Sequence, residues 1–557
     1  MTENPINPVL VVGAGPAGLA LALSLVKNGV PVRIINKAST PHQEARGQGI
    51  QPRTLEVFHF LGVLPELRAR GAPLKPVIFY KLPGGTEVLE TTHLSIVEED
   101  TPTKPFNNTY QVAQYHTEAV FRSHLEKHGC FVESATELVG FRQLEDRVEA
   151  TIKKRVGDKE EIETQSFRWL IGADGGKSIV RKQSGFAFAF EGAAPEQRAI
   201  LGEMTIEGLD TECSHAWLKS EGGPPTAVML GVVEGHRFFF MCLGHPDPDK
   251  LLSSYEALKE AIRMHTERRD MQLGHIYYVS DYRPSVRVVN KFSEGRVFLV
   301  GDAAHVHAPR GGQGLNTSVQ DAFNLGWKLA LVEQGLAPPT LLATYNEERL
   351  PVIRRMLQET ASMGQRAIDA AGASPAEMAR AIMQRTTLLK QLGINYRWSS
   401  IVLDERAPRA ADEEMEPYGV EAGDTLKAGD RAPNATGLVH LSDSQTTSLF
   451  HMFSPTHHTV LIFGSDLTHI GSIVKALGCY PQGTVSSVVV LPSGDKTTAA
   501  VDDADAMLRD GDGIAYDAYR MVDGQTFTVI IRPDGVIGAI VSGEDGVEKY
   551  FSGILST

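Results

Sequence analysis

Cysteine is scarce in this chain, with four residues among 557. Cys130, Cys213, Cys242 and Cys479 are widely spaced and form no Cys-x-x-Cys pair, so we predict neither a disulfide framework nor a metal site. Positive charge is also in deficit, because 54 lysines and arginines face 68 aspartates and glutamates. The resulting net charge of −14 predicts binding to neither nucleic acid nor an anionic membrane.

Long uninterrupted apolar runs are missing as well. The most apolar stretch, Val9 to Val26, is broken by three glycines and no basic residue precedes it, so it fits neither a membrane span nor a signal peptide. Together with the few cysteines, this predicts a cytoplasmic protein. A length of 557 residues with 42% apolar and 22% charged residues predicts two to four ordinary globular domains.

The first apolar stretch has the pattern of a dinucleotide site. Val9 to Gly18, VLVVGAGPAG, predicts a strand, a tight glycine turn and the start of a helix that would receive a pyrophosphate. An acidic residue is expected after the second strand, Val32 to Ile35, but Asn36 stands there, beside Lys37. An amide can still hydrogen-bond a ribose hydroxyl, as a weaker acceptor. The predicted pyrophosphate contacts are Gly13, Gly15, Pro16, Ala17 and Gly18.

A second glycine-rich loop joins the apolar strand Arg296 to Val300 to a helix predicted to open at Asn316. The loop contains Pro309, Gly312 and Gly314, which allow the backbone to approach a ligand closely. A helix start directs unpaired N–H groups at that ligand, and Asp302 can accept hydrogen bonds from a polyol. We therefore predict a cofactor cradle here.

A third motif, GADGGKSIVR at residues 172–181, again predicts a strand that runs into a turn, with Asp174 in the turn. The three motifs occur in the order GAGPAG, GADGGKSIVR, then GDAAHVHAP followed by GQGLN. In that order and spacing the chain resembles the single-component FAD-dependent aromatic hydroxylases, most closely their phenol and polyketide hydroxylase branch. The resemblance covers roughly residues 8 to 400.

The resemblance implies an α/β fold: a Rossmann-like, three-layer FAD-binding domain with an inserted substrate-binding β-sheet. It assigns residues 1–186 and 286–403 to the FAD-binding domain and 187–285 to the sheet, which 76–110 are expected to join. Residues 404–424 are acidic and poor in large apolar residues, as in a linker. Residues 425–557 are similar to the thioredoxin-like C-terminal domain of this branch. With Cys479 as their one cysteine, that domain is expected to have a structural or homodimer-forming role.

The resemblance also implies roles for residues outside the three loops. Arg46 and Gln114 are expected on the flavin side, Gly314, Leu315 and Asn316 at the flavin O2/N1 edge, and Pro309 beside its reacting edge. FAD would take electrons from transiently bound NADH or NADPH and react with O2 to a C4a-hydroperoxide that oxygenates a small aromatic substrate. Such a site must exclude water.

The substrate sheet departs from the phenol hydroxylases. Where they carry an activating tyrosine in an Arg-x-Tyr context, this chain reads Arg237-Phe238-Phe239, and phenylalanine cannot act as a base. Core packing is the simpler interpretation of Phe238 to Phe240, with substrate contact the alternative. The further candidates near the substrate are His215, Tyr282, Arg287 and His307.

These observations predict an NAD(P)H-dependent FAD monooxygenase that hydroxylates a phenolic or polycyclic aromatic molecule. Baeyer-Villiger oxidation or epoxidation on the same scaffold is an alternative, because the cofactor motifs do not distinguish these reactions. From a different class, a flavoprotein sensor or binding module without turnover is the other alternative.

Overall fold

Three large β-sheets and the helices between them build the chain. The computed structural model describes residues 7–190, 198–219, 226–245, 247–283, 285–307, 310–369, 377, 386–410, 412–419 and 425–556. In this part of the chain no helix is long and apolar enough to cross a membrane. The α-helices lie at Pro16–Lys27, Pro52–Phe60, Leu64–Arg68, Gln114–Lys127, Ile179–Gln183, Pro248–Leu252, Tyr255–Thr266, Gly314–Glu333, Ala343–Asp369, Leu449–Met452, Leu467–Leu477, Ile514–Ala518 and Gly543–Ser552.

The N-terminal sheet has a parallel centre. Asn7–Val12 pairs in parallel with Val32–Ile35 on one side and Lys159–Gly172 on the other, as in a dinucleotide-binding fold. Its first strand and the following helix are almost wholly buried, which explains their nearly continuous apolar sequence. The eight strands are Asn7–Val12, Val32–Ile35, Val132–Glu133, Thr136–Gln143, Val148–Val156, Lys159–Gly172, Ser293–Glu294 and Val297–Leu299.

The second sheet is mainly antiparallel and covers one side of the molecule's large cavity. Side chains alternate along its strands, so one face packs on the helix Tyr255–Thr266 and the other faces the cavity. Two strands from residues 76–110 extend this sheet beside Ser214–Lys219. In spatial order its strands are Gln272–Tyr282, Ala199–Glu207, Arg237–Leu243, Thr226–Glu234, Ser214–Lys219, Val77–Tyr80 and Val88–Thr92.

The C-terminal sheet mixes parallel and antiparallel pairs around His458–Phe463. Phe527–Ile531 and Ile537–Val541 form a hairpin, since they pair antiparallel around the Arg532–Gly535 turn. The predicted linker begins inside a short strand that joins this sheet. In spatial order the strands are Leu403–Asp404, Ile537–Val541, Phe527–Ile531, His458–Phe463, Val485–Leu491, Ala506–Asp510, Leu438–His440 and Thr446–Thr447.

Short elements complete the fold. Within the described residues, four 3-10 turns and two small three-stranded sheets link the larger units. Among the described residues after 385, Thr387–Lys390 forms a 3-10 turn. The remaining turns are Gly301–Ala303, Arg310–Gly312 and Pro339–Leu342, and the small-sheet strands are Gly49–Ile50, Ala72–Pro73, Tyr110–Gln111, Phe188–Phe190, Arg287–Val289 and His305–Val306.

Candidate active site

One cavity of about 2330 Å³ brings together the three glycine-containing loops and the inner face of the antiparallel sheet. Most of the sequence-predicted site residues lie on its wall. They are Gly13, Gly15, Pro16, Ala17, Asn36, Lys37, Arg46, Gln114, Asp174, His215, Phe239, Tyr282, Arg287, Asp302, His307, Gly312, Gly314 and Leu315.

In the first glycine turn, the backbone itself requires glycine at two positions, and the third glycine leaves free space towards the cavity. Gly13 has φ +108°, and a Cβ on Gly18 would meet the Gly13 carbonyl oxygen at 2.0 Å. Gly18 is therefore needed for helix packing and does not line the cavity. A Cβ on Gly15, in contrast, would meet no protein atom within 4 Å. The open side of Gly15 faces the cavity at the start of a twelve-residue helix, which fits a pyrophosphate.

The loop after Val300 carries Asp302 into the cavity. Its carboxyl group is exposed to the cavity, where desolvation by the surrounding protein atoms raises its pKa, while the nearby His305 and Arg46 oppose the shift. A carboxyl group held in this way can accept hydrogen bonds from a ribityl or ribose hydroxyl.

The Asn316 side chain holds the cofactor loop in place. Its side chain is buried and fully used within the protein: Nδ2 donates to the Gly312 and Gly49 carbonyl oxygens, at 2.7 and 2.8 Å, and Oδ1 accepts from the Gln51 N–H at 2.8 Å. The Asn316 side chain therefore fixes the loop, and the helix starts at Gly314, two residues earlier than predicted. The placement of Asn316 at the flavin edge stays a prediction for its backbone. Pro309 lies outside the described residues.

A buried ionic chain supports the same loop from behind. The His305 ring bonds Asp321 at 2.7 Å, and the other Asp321 oxygen accepts from Arg349 at 2.8 Å. The Asp321 pKa is lowered because these positive partners outweigh its burial. His305 thus has a structural partner, and no group of three metal-ligating side chains occurs in the described part of the chain.

The sheet wall shows which phenylalanines face the cavity. Phe239 lines it together with Met241, whereas Phe238 and Phe240 are fully buried on the opposite face. The core-packing interpretation therefore holds for Phe238 and Phe240, and the alternative of substrate contact is wrong for these two residues. The period-two alternation of a strand could have separated the two sets, and it would also have found Met241.

His215 is on the cavity wall, but its ring is committed to the protein. Nε2 lies 2.8 Å from the Asp210 carbonyl oxygen, which can only accept, so Nε2 carries the proton. Nδ1 then accepts from the Tyr80 hydroxyl at 2.9 Å. Because both nitrogens are engaged and burial lowers the pKa of this histidine, we do not assign it as a base.

Tyr282, His307 and Arg287 meet at the edge of the cavity. The Tyr282 hydroxyl donates to the His307 carbonyl oxygen at 3.3 Å, which joins the edge strand of the sheet to the loop that carries Asp302. Arg287 pairs with Val306 in a small sheet, and its guanidinium lies 5.9 Å from the ring centre of Phe188. A cation and a hydroxyl therefore stand where the loop and the sheet meet.

Fold and site together define a flavin-binding oxygenase, and comparison with known proteins agrees. Residues 7–360 match the family model described as FAD binding domain. A flavin-dependent monooxygenase from Mycobacteroides abscessus is 32% identical over 98% of this chain and all of its own. Pentachlorophenol 4-monooxygenase from Sphingobium chlorophenolicum is 28% identical, over 97% of this chain and 96% of its own.

Solved structures share the fold across the whole chain. The flavin-dependent monooxygenase PieE, in complex with FAD and substrate, superposes with a TM-score of 0.79 at 22% identity, over 99% of this chain and all of its own. Aklavinone-11 hydroxylase with FAD and aklavinone gives 0.78 at 23%, over 99% of both chains. The chain belongs to the FAD binding domain family and is an FAD-dependent monooxygenase of the aromatic hydroxylase type.

Proposed function

We propose that this enzyme hydroxylates a phenolic or polycyclic aromatic molecule with electrons from transiently bound NADH or NADPH. The observation that carries the proposal is the continuity of one cavity from the open side of Gly15 to Phe239 on the sheet. A flavin bound along the glycine loops would thus share its cavity with a molecule on the sheet. The names of the pentachlorophenol and aklavinone enzymes support an aromatic substrate.

In this proposal the residues that hold the cofactor divide into three groups. The pyrophosphate is held by Gly13, Gly15, Pro16 and Ala17. The adjoining sugar and ribityl groups are held by Asn36, Lys37, Asp174 and Asp302. The flavin end is held by Arg46, Gln114, Gly312, Gly314 and Leu315. When bound, FAD supplies the activation of O2. The helix that begins at Gly314 directs backbone N–H groups and its positive end at negative charge that develops on the bound group.

The substrate would lie against the apolar part of the wall. An apolar surface that excludes water is formed there by Leu201, Met229, Phe239, Met241 and Leu243. At the edge of the cavity, the Arg287 cation favours the ionised form of a phenol, and Tyr282 and His307 lie where they can hold the substrate's oxygen. Arg287 and Tyr282 thus take the place of the absent tyrosine at position 239.

Flavin reduction and product analysis test this function. We expect an aromatic substrate to accelerate reduction of the enzyme-bound flavin by NADH or NADPH, measured anaerobically with pentachlorophenol, aklavinone and a panel of related phenols. With ¹⁸O2, one labelled hydroxyl oxygen should appear in the product. A labelled lactone or epoxide would replace hydroxylation by the Baeyer-Villiger or epoxidation alternative. If no aromatic ligand accelerates reduction, the sensor alternative replaces turnover.

For the C-terminal sheet, residues 425–556, we propose a thioredoxin-like domain with a structural or dimer-forming role. Cys479 is exposed and is its one cysteine, so a dithiol exchange within it lacks the second thiol. Sedimentation of the purified chain tests whether it forms a homodimer.

A further inference from the structure

A buried carboxylate lies in the middle of the cavity-facing sheet surface. In the strand register Glu203 stands directly between Phe239 and Tyr278, and both neighbours line the cavity. Glu203 itself is fully buried. A charge buried at such a position is costly unless it is paired and hydrogen-bonded, so its partners are informative.

The segment 43–46 of the FAD-binding domain covers this carboxylate. The buried N–H of Ala45 donates to Glu203 Oε1 at 2.6 Å. The next residue, Arg46, has φ +37°, a left-handed conformation that is unfavourable for a residue with a side chain. Such strain persists only when the surroundings enforce it. Ala45, immediately before the strained residue, is held by Glu203 at its N–H and by the Gln114 N–H, at 2.9 Å, at its carbonyl oxygen.

Arg237 completes the arrangement from the next strand of the sheet. Its Nε donates to Glu203 Oε2 at 2.7 Å, and a terminal nitrogen donates to the Gln43 carbonyl oxygen at 2.6 Å. The guanidinium also lies 4.0 Å from the centre of the Tyr277 ring, in cation-π contact. Glu203 and Arg237 therefore bind the segment at two points, on either side of Glu44.

We propose that Glu203 and Arg237 are positioning residues, a latch that fastens segment 43–46 to the substrate sheet and so sets where Arg46 stands. The Arg46 side chain lines the cavity within electrostatic reach of both Asp302, on the cofactor loop, and Tyr278, on the sheet. A displaced segment would thus alter both ends of the site. The contact of Arg46 with flavin belongs to the proposed function, but the latch does not depend on it.

The rate of trypsin cleavage after Arg46 measures how often the segment detaches from the sheet, because the Arg46–Gly47 bond is a trypsin site. In Glu203→Gln the amide N–H₂ must face one of the two donors, Ala45 or Arg237, so one charge-assisted hydrogen bond becomes a repulsion. In the FAD-loaded full chain we expect cleavage after Arg46 to become about tenfold faster, since cleavage tracks the opened population. Mass spectrometry of the fragment that begins at Gly47 measures this rate.

Glu207→Gln is the matched control. Glu207 ends the same strand but is half-exposed and pairs with the half-exposed His236, so its change should leave the Arg46 cleavage rate within about twofold of the wild type. Equal cleavage rates in Glu203→Gln and the wild type would overturn the proposal.

Two further measurements keep the proposal testable if Glu203→Gln does not fold. Arg237→Gln should accelerate cleavage in the same direction, and Arg237→Lys, which retains the cation, should restore part of the protection. In the wild type, the Ala45 amide should exchange with solvent as slowly as the amides of Ala199–Glu207. Exchange at the rate of an open loop would contradict the latch.

Kinetics separate a failed latch from a failed function. If the latch positions the site, Glu203→Gln should raise KM for the aromatic substrate. It should also raise the amount of NAD(P)H consumed per molecule of product, whereas Glu207→Gln should change neither quantity. If no aromatic substrate is turned over by the wild type, the proposed function fails, but the protease result still decides the latch.

Discussion

At the scale of single residues, the direction of a side chain decides its role more than its identity does. Phe239 and Phe240 are neighbours of the same type, yet one lines the cavity and the other is buried in the core. Asp302 and Asn316 lie in one motif, yet Asp302 faces the cavity, whereas the Asn316 side chain makes three hydrogen bonds within the protein.

Asp302→Ala should remove FAD without unfolding the chain. In the folded protein desolvation raises the pKa of Asp302, so the fold gains no stability from this carboxylate and its loss should not destabilise the FAD-free protein. We expect FAD affinity to fall about a hundredfold or more, measured by the fluorescence of released flavin, as two or more hydrogen bonds to a charged group are lost. Full retention of the yellow cofactor would refute the assignment.

Phe239→Ala and Phe240→Ala form a second test. Phe240→Ala should lower the free energy of unfolding by about 3–5 kcal/mol, because it opens a cavity in a packed core. Phe239→Ala should leave stability nearly unchanged and instead raise KM for the aromatic substrate. Urea unfolding and steady-state kinetics of both variants check this. If Phe239→Ala destabilises the fold and Phe240→Ala raises KM instead, then Phe240 and not Phe239 faces the cavity.

At the scale of elements, each glycine-containing loop is a junction at which a strand ends, and the chain must turn tightly there before it continues. The turn at 13–18 shows both uses of glycine: Gly18 allows close packing of helix on strand, and Gly15 keeps the cavity side open. The sequence pattern marks the glycines equally, and only the contacts distinguish them.

Gly15→Val and Gly18→Ala should therefore fail in different ways. A Cβ at position 15 meets no protein atom, so Gly15→Val should fold with an unchanged melting temperature and lose FAD. A Cβ at position 18 would meet backbone at 2.0 Å, so Gly18→Ala should destabilise the fold itself. Thermal melting of the FAD-free proteins, followed by FAD titration, separates the two outcomes; tight FAD binding by Gly15→Val would contradict the pyrophosphate assignment.

At the scale of the whole molecule, a buried ionic cluster joins the C-terminal sheet to the FAD-binding domain. Glu348 accepts from Arg532 at 2.7 and 2.9 Å and from Lys328 at 2.7 Å, all within the interior. These cations hold the pKa of Glu348 far below its usual value despite its burial. The hairpin turn that contains Arg532 is therefore also a docking element, and breaking one partner would leave a buried charge.

His458 should make this interface sensitive to acid. Burial against Trp327, Tyr550 and Phe551, with a smaller effect of Arg532, lowers its pKa to about 3. Below pH 6.5 the unfolded chain binds a proton that the folded chain does not, so stability falls as pH falls from 6.5 towards 3. His458→Phe should remove roughly 2 kcal/mol of the stability lost between pH 6.5 and pH 5.

Urea unfolding of wild type and His458→Phe at both pH values measures this difference. His128→Gln, a change at an exposed histidine, is the control and should leave the pH dependence as in the wild type. An identical pH slope in the wild type and His458→Phe would show that His458 is not responsible.

The sequence by itself determined the cofactor class and the elements around it. Glycine spacing between a strand and a helix is a local property, and so is the hydrophobic period, so the three motifs and the strands beside them could be predicted from the chain. Only the tertiary structure decided which residues face the cavity and what covers them. Glu203 became visible as the centre of the sheet face only once a segment distant in sequence was seen to donate to it, because such pairings depend on how separate domains pack and leave no local pattern.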